Sequence, residues 1–147
     1  MNKVYASYNN IVSSLGFDSQ TVVAKVRNEH SGLELVKDET LMQEPFYSSL
    51  IPTDELEKAF SELGVSEKFT RLEKMMLVSL NNIVKEASIE LTDRVGLIIS
   101  TTKGNVDALD AQNAFDTQRA YLGELGKTVK DFFGFKKDAI VVSNACV

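Results

Sequence analysis

The sequence holds one cysteine, Cys146, one histidine, His30, two prolines and no tryptophan among its 147 residues. A single thiol closes no internal disulfide and builds no cysteine-rich zinc site. With one imidazole, a Ser-His-Asp or Cys-His-His constellation could draw on no histidine but His30, and a transition-metal site is not expected; no cofactor is expected either. Long hydrophobic runs are missing as well. Val95 to Ile99 spans five residues, far short of the ~20 that cross a bilayer. The opening Met1-Asn2-Lys3-Val4-Tyr5 lacks the charged and then apolar blocks of a secretory signal. Basic residues are outnumbered, sixteen to twenty-one, for a net charge of -5. That balance removes the attraction that dominates nucleic-acid binding. The expectation is a cytoplasmic chain that binds neither nucleic acid nor membrane.

What is present is 44% hydrophobic and 25% charged, enough for one globular unit with a buried core. Val4–Ser7 and Ile11–Leu15 read as a strand and a second extended piece around Asn9-Asn10, closed by Gly16. Asp18 and Ser19 are N-cap candidates for a helix over 20–29, with Val22, Val23 and Val26 at helical spacing and Gly32 as its stop. His30 falls at that helix end, where a surface cap residue is the ordinary reading. Residues 33–52 carry Pro45 and Pro52 without a clean period and predict an irregular excursion. Thr53 and Asp54 open a second helix with Glu57 placed for a capping box, ended by Gly64. A longer helix follows from Ser66 to about Ala87, striped by Phe69, Leu72, Met76, Leu80, Ile83 and Ala87 and widened by Met75, Leu77 and Val78.

Arg94–Ser100 is a strand whose continuous apolar run suits a parallel sheet buried on both faces. The following Thr101-Thr102-Lys103-Gly104-Asn105 lacks the two-glycine Walker spacing, which argues against a phosphate loop. A helix over 119–133 carries Gly123 and Gly126, each costing about 1 kcal/mol against alanine and calling for a close packing contact; Gly134 caps it. Ala139–Ser143 is the last strand and runs into Asn144-Ala145-Cys146-Val147. The alternation predicts an α/β fold with a layered parallel sheet of about three strands and helices on its faces. Ligand chemistry in such sheets sits at the carboxyl ends of the strands.

A cysteine just past an apolar strand can be a small buried hydrophobe or a nucleophile exposed at a strand-to-helix turn. The order of the surrounding pieces resembles the N-terminal half of a β-ketoacyl-acyl-carrier-protein synthase of the thiolase-like superfamily. Val4-Tyr5-Ala6-Ser7 with Ile11-Val12-Ser13-Ser14-Leu15-Gly16 looks like the family's opening strand and turn. Asn28-Glu29-His30-Ser31-Gly32 matches the end of its first helix, and Asp93-Arg94-Val95-Gly96-Leu97-Ile98 is similar to its second strand. Val141-Val142-Ser143-Asn144-Ala145-Cys146 resembles the strand that delivers the nucleophilic cysteine. Departures at Tyr8-Asn9-Asn10, Ser14 and Ser100-Thr101-Thr102 imply a divergent member.

The resemblance implies a thiolase-like half, truncated before its remaining strands, with Cys146 as acyl acceptor and the catalytic histidines outside this chain. It implies a 3-oxoacyl-[acyl-carrier-protein] synthase inactive as the isolated 147-residue chain, fed by phosphopantetheine thioesters on an acyl carrier protein. A homodimer or a ketosynthase-like heterodimer is implied through the edge strand 139–145. Lys68, Arg71 and Lys74, three apart at the start of the long helix, would present a basic face to the acidic carrier. Two other readings stand beside this one: a non-catalytic ketosynthase-like subunit, which retention of Cys146 disfavours, and a small acidic α/β interaction domain.

Overall fold

A computed structural model describes residues 3–110 and 112–144. Among them lie α1 (Ser19–Arg27), β1 (Glu34–Val36), β2 (Phe46–Ser48), α2 (Thr53–Ser61), α3 (Arg71–Ala87), β3 (Ile98–Thr101), α4 (Leu122–Phe133) and β4 (Ile140–Ser143), with 3-10 turns at Val106–Leu109 and Thr117–Ala120. The class is mixed α/β with two small sheets. No described helix is long and apolar enough to cross a membrane. The chain divides into two compact units, one of residues up to Val65 with Val78–Ala87, the other of Ser66–Leu77 with residues from Ser88 onward.

In the first unit, α1 starts where the sequence indicates. Asp18 accepts hydrogen bonds from the Thr21 N–H at 2.8 Å and the Thr21 hydroxyl at 2.7 Å, satisfying donors that a helix start leaves open. Its stop lies earlier than Gly32. Glu29 takes the left-handed conformation at φ 59, so that its N–H reaches the Val26 carbonyl and the His30 N–H reaches the Lys25 carbonyl, both at 3.0 Å. This is the Schellman closure, with a glutamate where glycine is usual. Gly32 has another role: a Cβ there would collide with Ser14 Oγ, which lies 2.6 Å from Ser49 Oγ.

Among the described residues Val4–Ser7 forms no ladder, and the pairing seen nearby is the Ser13–Gly16 bridge. The 33–52 excursion is more regular than expected. It contains the antiparallel pair β1/β2, with Leu35 opposite Tyr47; three-residue strands are too short for a period of two to stand out. α2 begins at Thr53 with Pro52 as N-cap, a residue that offers no side-chain cap bond. Pro52 supplies fixed φ instead, at -60°. Leu56 and Phe60 are its buried face.

In the second unit, β3 and β4 pair in parallel, Ile98 with Ile140 through Thr101 with Ser143. The expectation of burial on both faces does not hold for this pair: Leu97 and Ile99 are buried, while Ile98, Ile140 and Val142 stand exposed. α4 covers one face, and Gly126 explains itself there. A Cβ at Gly126 would lie 2.6 Å from Val141 Cγ2 and 3.2 Å from the Ala139 Cβ. Gly123 meets nothing, so the packing argument applies to one glycine of the two. The expected 119–133 helix is split: a 3-10 turn at Thr117–Ala120 precedes α4, and Gly134 closes α4 at φ 75. Leu125 and Val129 form the buried stripe of α4. Phe69, Phe132, Phe133 and Phe135 follow one another edge to face, with centroids 5.8, 4.8 and 6.2 Å apart, a geometry the ring quadrupole favours. The third parallel strand is not found among the described residues.

Candidate functional site

The parallel pair brings two chain segments to one end of the sheet. After β3 come Thr102, Lys103, Gly104 and Asn105; after β4 comes Asn144. The Ser143 hydroxyl donates to the Thr102 carbonyl at 3.3 Å. Gly104 turns the chain in the left-handed conformation at φ 61, with Leu122 Cδ2 at 2.9 Å from the position of a Cβ. Its N–H donates to Thr101 Oγ1 at 3.0 Å. A side chain at residue 104 would meet both a conformational and a steric obstacle.

Beneath this loop lies a buried polar cluster. Glu73, in the first turn of α3, has a fully buried side chain. Its Oε1 accepts from Arg119 Nε at 2.8 Å and from Asn105 Nδ2 at 2.8 Å. Its Oε2 accepts from Arg119 Nη2 and from the Thr70 N–H, each at 2.9 Å. Thr70 closes the ring: its hydroxyl donates to Asn105 Oδ1 at 2.7 Å and accepts from the Glu73 N–H at 3.2 Å. Asn105 Nδ2 also reaches the Arg119 carbonyl at 3.2 Å. A buried carboxylate is tolerated where such charge-assisted, bidentate bonds satisfy it. Among the described residues no buried side-chain polar atom lacks a partner.

The sequence pattern starts this helix at Ser66 and so does not bring the cluster into view. The signal was there in Thr70-Arg71-Leu72-Glu73, the spacing of a capping box, and α3 does begin at Arg71 with Thr70 as N-cap. The same shift moves Lys68 off the helix. Arg71 and Lys74 share a helical face, whereas Lys68 precedes the N-cap, outside any helix or strand. Lys68 and Arg71 are exposed and Lys74 is half-buried. Cys146 lies outside the described residues.

His30 sits at the rim of a hollow of about 280 Å3 in the first unit, lined also by Leu15, Lys25, Glu34, Val36 and Leu50. Its Nδ1 faces the Asn28 carbonyl at 3.1 Å. It stays a surface residue beyond a helix end, as the sequence indicates. No group of three or more metal-ligating side chains occurs among the described residues. Perturbed ionisations fall on surface contacts. The Thr21 bonds hold the Asp18 carboxyl below its usual 3.8, Thr40 does the same for Asp38, and Lys130 for Asp138. These shifts report hydrogen bonding to exposed carboxylates, which favours their charged form.

Set against family models, curated proteins and solved structures, the chain matches none.

Proposed function

We propose that this chain is the N-terminal portion of a divergent 3-oxoacyl-[acyl-carrier-protein] synthase in which Cys146 accepts the acyl group. The observation that carries the reading is the convergence of the carboxyl ends of β3 and β4, held by the Ser143 to Thr102 bond, three residues before the chain's sole cysteine. That is where open α/β sheets place reactive groups. The exposed Ile98, Ile140 and Val142 support it further, since a layered sheet would cover them.

In this reading the Cys146 sulfur attacks the thioester carbonyl of an acylated carrier. A new C–S bond forms, the phosphopantetheine C–S bond breaks, and the proton of the cysteine passes to the departing thiol. Loss of CO2 from a malonyl thioester then leaves a carbanion that attacks the acyl-enzyme and frees the sulfur again. Histidines for the second step lie outside these 147 residues, because His30 is the sole one here. The 147-residue chain alone is therefore inactive in condensation. Arg71 and Lys74 present positive charge toward the carrier, with Lys68 nearby on the preceding segment. The β4 edge pairs with a second ketosynthase subunit, identical or homologous.

The test is to read the encoding DNA beyond codon 147, express the chain it specifies, and follow intact mass after incubation with an acyl-carrier thioester. An acyl adduct that disappears in Cys146→Ala supports the reading. A stop codon directly after Val147, or a longer chain that takes no adduct, overturns it. If the adduct is missing but the chain co-purifies with an active synthase, the non-catalytic subunit takes its place. Light scattering at about 50 µM, where weak edge contacts are populated, should show a dimer that Val141→Pro disrupts by removing a ladder donor.

A further inference from the structure

We infer that Glu73 is a positioning residue for the loop at the carboxyl ends of β3 and β4. One buried carboxylate fixes Asn105 and Arg119, the two feet of the 106–118 segment, and through Asn105 sets residues 101–104 against Ser143. The argument starts from surplus. Capping α3 asks of residue 73 one bond to the Thr70 N–H, which a neutral glutamine would also make. Glu73 accepts three more, from Asn105 and from both arms of the Arg119 fork, residues 32 and 46 positions away. A negative charge in a dry site is costly unless such partners accompany it, so the charge is matched to the loop's feet and not to the helix.

Asn105 is oriented without ambiguity. Its Nδ2 donates to Glu73 Oε1 and the Arg119 carbonyl while its Oδ1 accepts from Thr70; reversing the amide would set oxygen against oxygen. The neighbouring Gly104 is buried and left-handed, its N–H held by Thr101. Two residues earlier the Thr102 carbonyl receives the Ser143 hydroxyl. A continuous series of bonds thus runs from Glu73 to the last residue of β4. Cys146 is three residues further along the chain, and three residues span at most about 11 Å.

The functional arm of this inference rests on the reading of Cys146 as acyl acceptor; the structural arm does not. Hydrogen exchange and iodoacetamide alkylation of Cys146, the sole thiol, are measured in Glu73→Gln, Asn105→Ala and Thr70→Ser. The first two should speed exchange at residues 102–105 by about tenfold, leave the amides of Leu97, Ile99 and Val129 unchanged, and alter the alkylation rate by about threefold or more in either direction. Thr70→Ser, which keeps the hydroxyl, should leave all three as in the parent. If Glu73→Gln does not fold, Asn105→Ala decides alone. Unchanged exchange at 102–105, exchange that rises only in step with the core amides, or an unmoved alkylation rate overturns the proposal. In the longer protein, acyl transfer to Cys146 should fall with the same variants. A parent protein that takes no acyl group would sink the proposed function while leaving the exchange result to judge Glu73.

Discussion

The two units organise their polar groups in opposite ways. The second buries Phe69, Leu77, Leu97, Ile99, Leu125, Val129 and Phe135, and with them Glu73, Thr70 and Asn105 of the polar ring. The first buries Val22, Leu56, Phe60 and Val78, and leaves Leu33, Leu35, Leu41, Met42 and Tyr47 exposed. Its polar order comes mainly from local devices, the Asp18 cap, the Glu29 closure and the Ser13–Gly16 turn, joined by one long-range bond of the Asn10 amide, which reaches the Phe17 carbonyl at 3.1 Å and Ser79 Oγ, 69 positions away, at 3.3 Å. A long-range charged network needs surroundings dry enough to strengthen it. Short-range caps do their work in water. The difference teaches that the same helix, α3, can begin in a tertiary lock and end within a unit held by local bonds.

The largest test of that contrast removes core volume from each side. Leu56 and Leu125 are both fully buried, so replacing either by alanine should cost about 2–5 kcal/mol. In urea with exchange detected by mass spectrometry, Leu125→Ala should loosen the Glu73 ring and β3/β4 together, whereas Leu56→Ala should loosen α1 and α2 first. Equal loosening of both units by Leu56→Ala would erase the distinction. Next in size are the two glycines of α4. Gly126→Ala should destabilise by about 1–3 kcal/mol through overpacking against Val141. Gly123→Ala meets open space and should stabilise by about 1 kcal/mol through helix propensity. Thermal unfolding of the pair gives opposite signs if α4 sits on β4 as described.

The local devices of the first unit should respond more weakly. Asp18→Ala removes the α1 cap at a cost of about 1 kcal/mol. Because the folded carboxyl is held below 3.8 by Thr21, its contribution is complete above the ordinary carboxylate range and fades as pH falls through the lowered value. Asp18→Asn should keep the cap and lose that pH dependence, a comparison that circular dichroism between pH 2 and 6, roughly the span of carboxylate titration, will decide. Smallest is Glu29→Gly. It relieves the left-handed strain at φ 59 but adds freedom to the unfolded chain, for a net gain of about 0.5 kcal/mol. A loss of stability would mean that the glutamate side chain contributes something its backbone does not show.

Local signals were the legible part of the sequence. The Asp18 cap, the Gly134 closure and the apolar runs that became β3 and β4 each involve neighbours in the chain, and their parallel pairing followed from the alternation of elements. The Gly126 contact was readable as a cost that demanded a reason. Tertiary facts were not. Nothing in residues 33–52 distinguishes two three-residue strands from loop, since their pairing partners decide the matter. The Val4–Ser7 run has strand composition but finds no ladder among the described residues. The Glu73 ring joins three stretches of chain, and only its Thr70-x-x-Glu73 fragment is written locally; Asn105 and Arg119 look in sequence like ordinary polar residues.

The ring also sets an order of events during synthesis. Glu73 leaves the ribosome 46 residues ahead of Arg119, and at about 5–20 residues per second it waits roughly 2–9 s for its partner. For that interval the carboxylate has to stay hydrated, so the first turn of α3 cannot be enclosed when it is made. Closure of the ring cannot precede translation of Arg119, and the α4 and β4 residues that complete the unit follow later still.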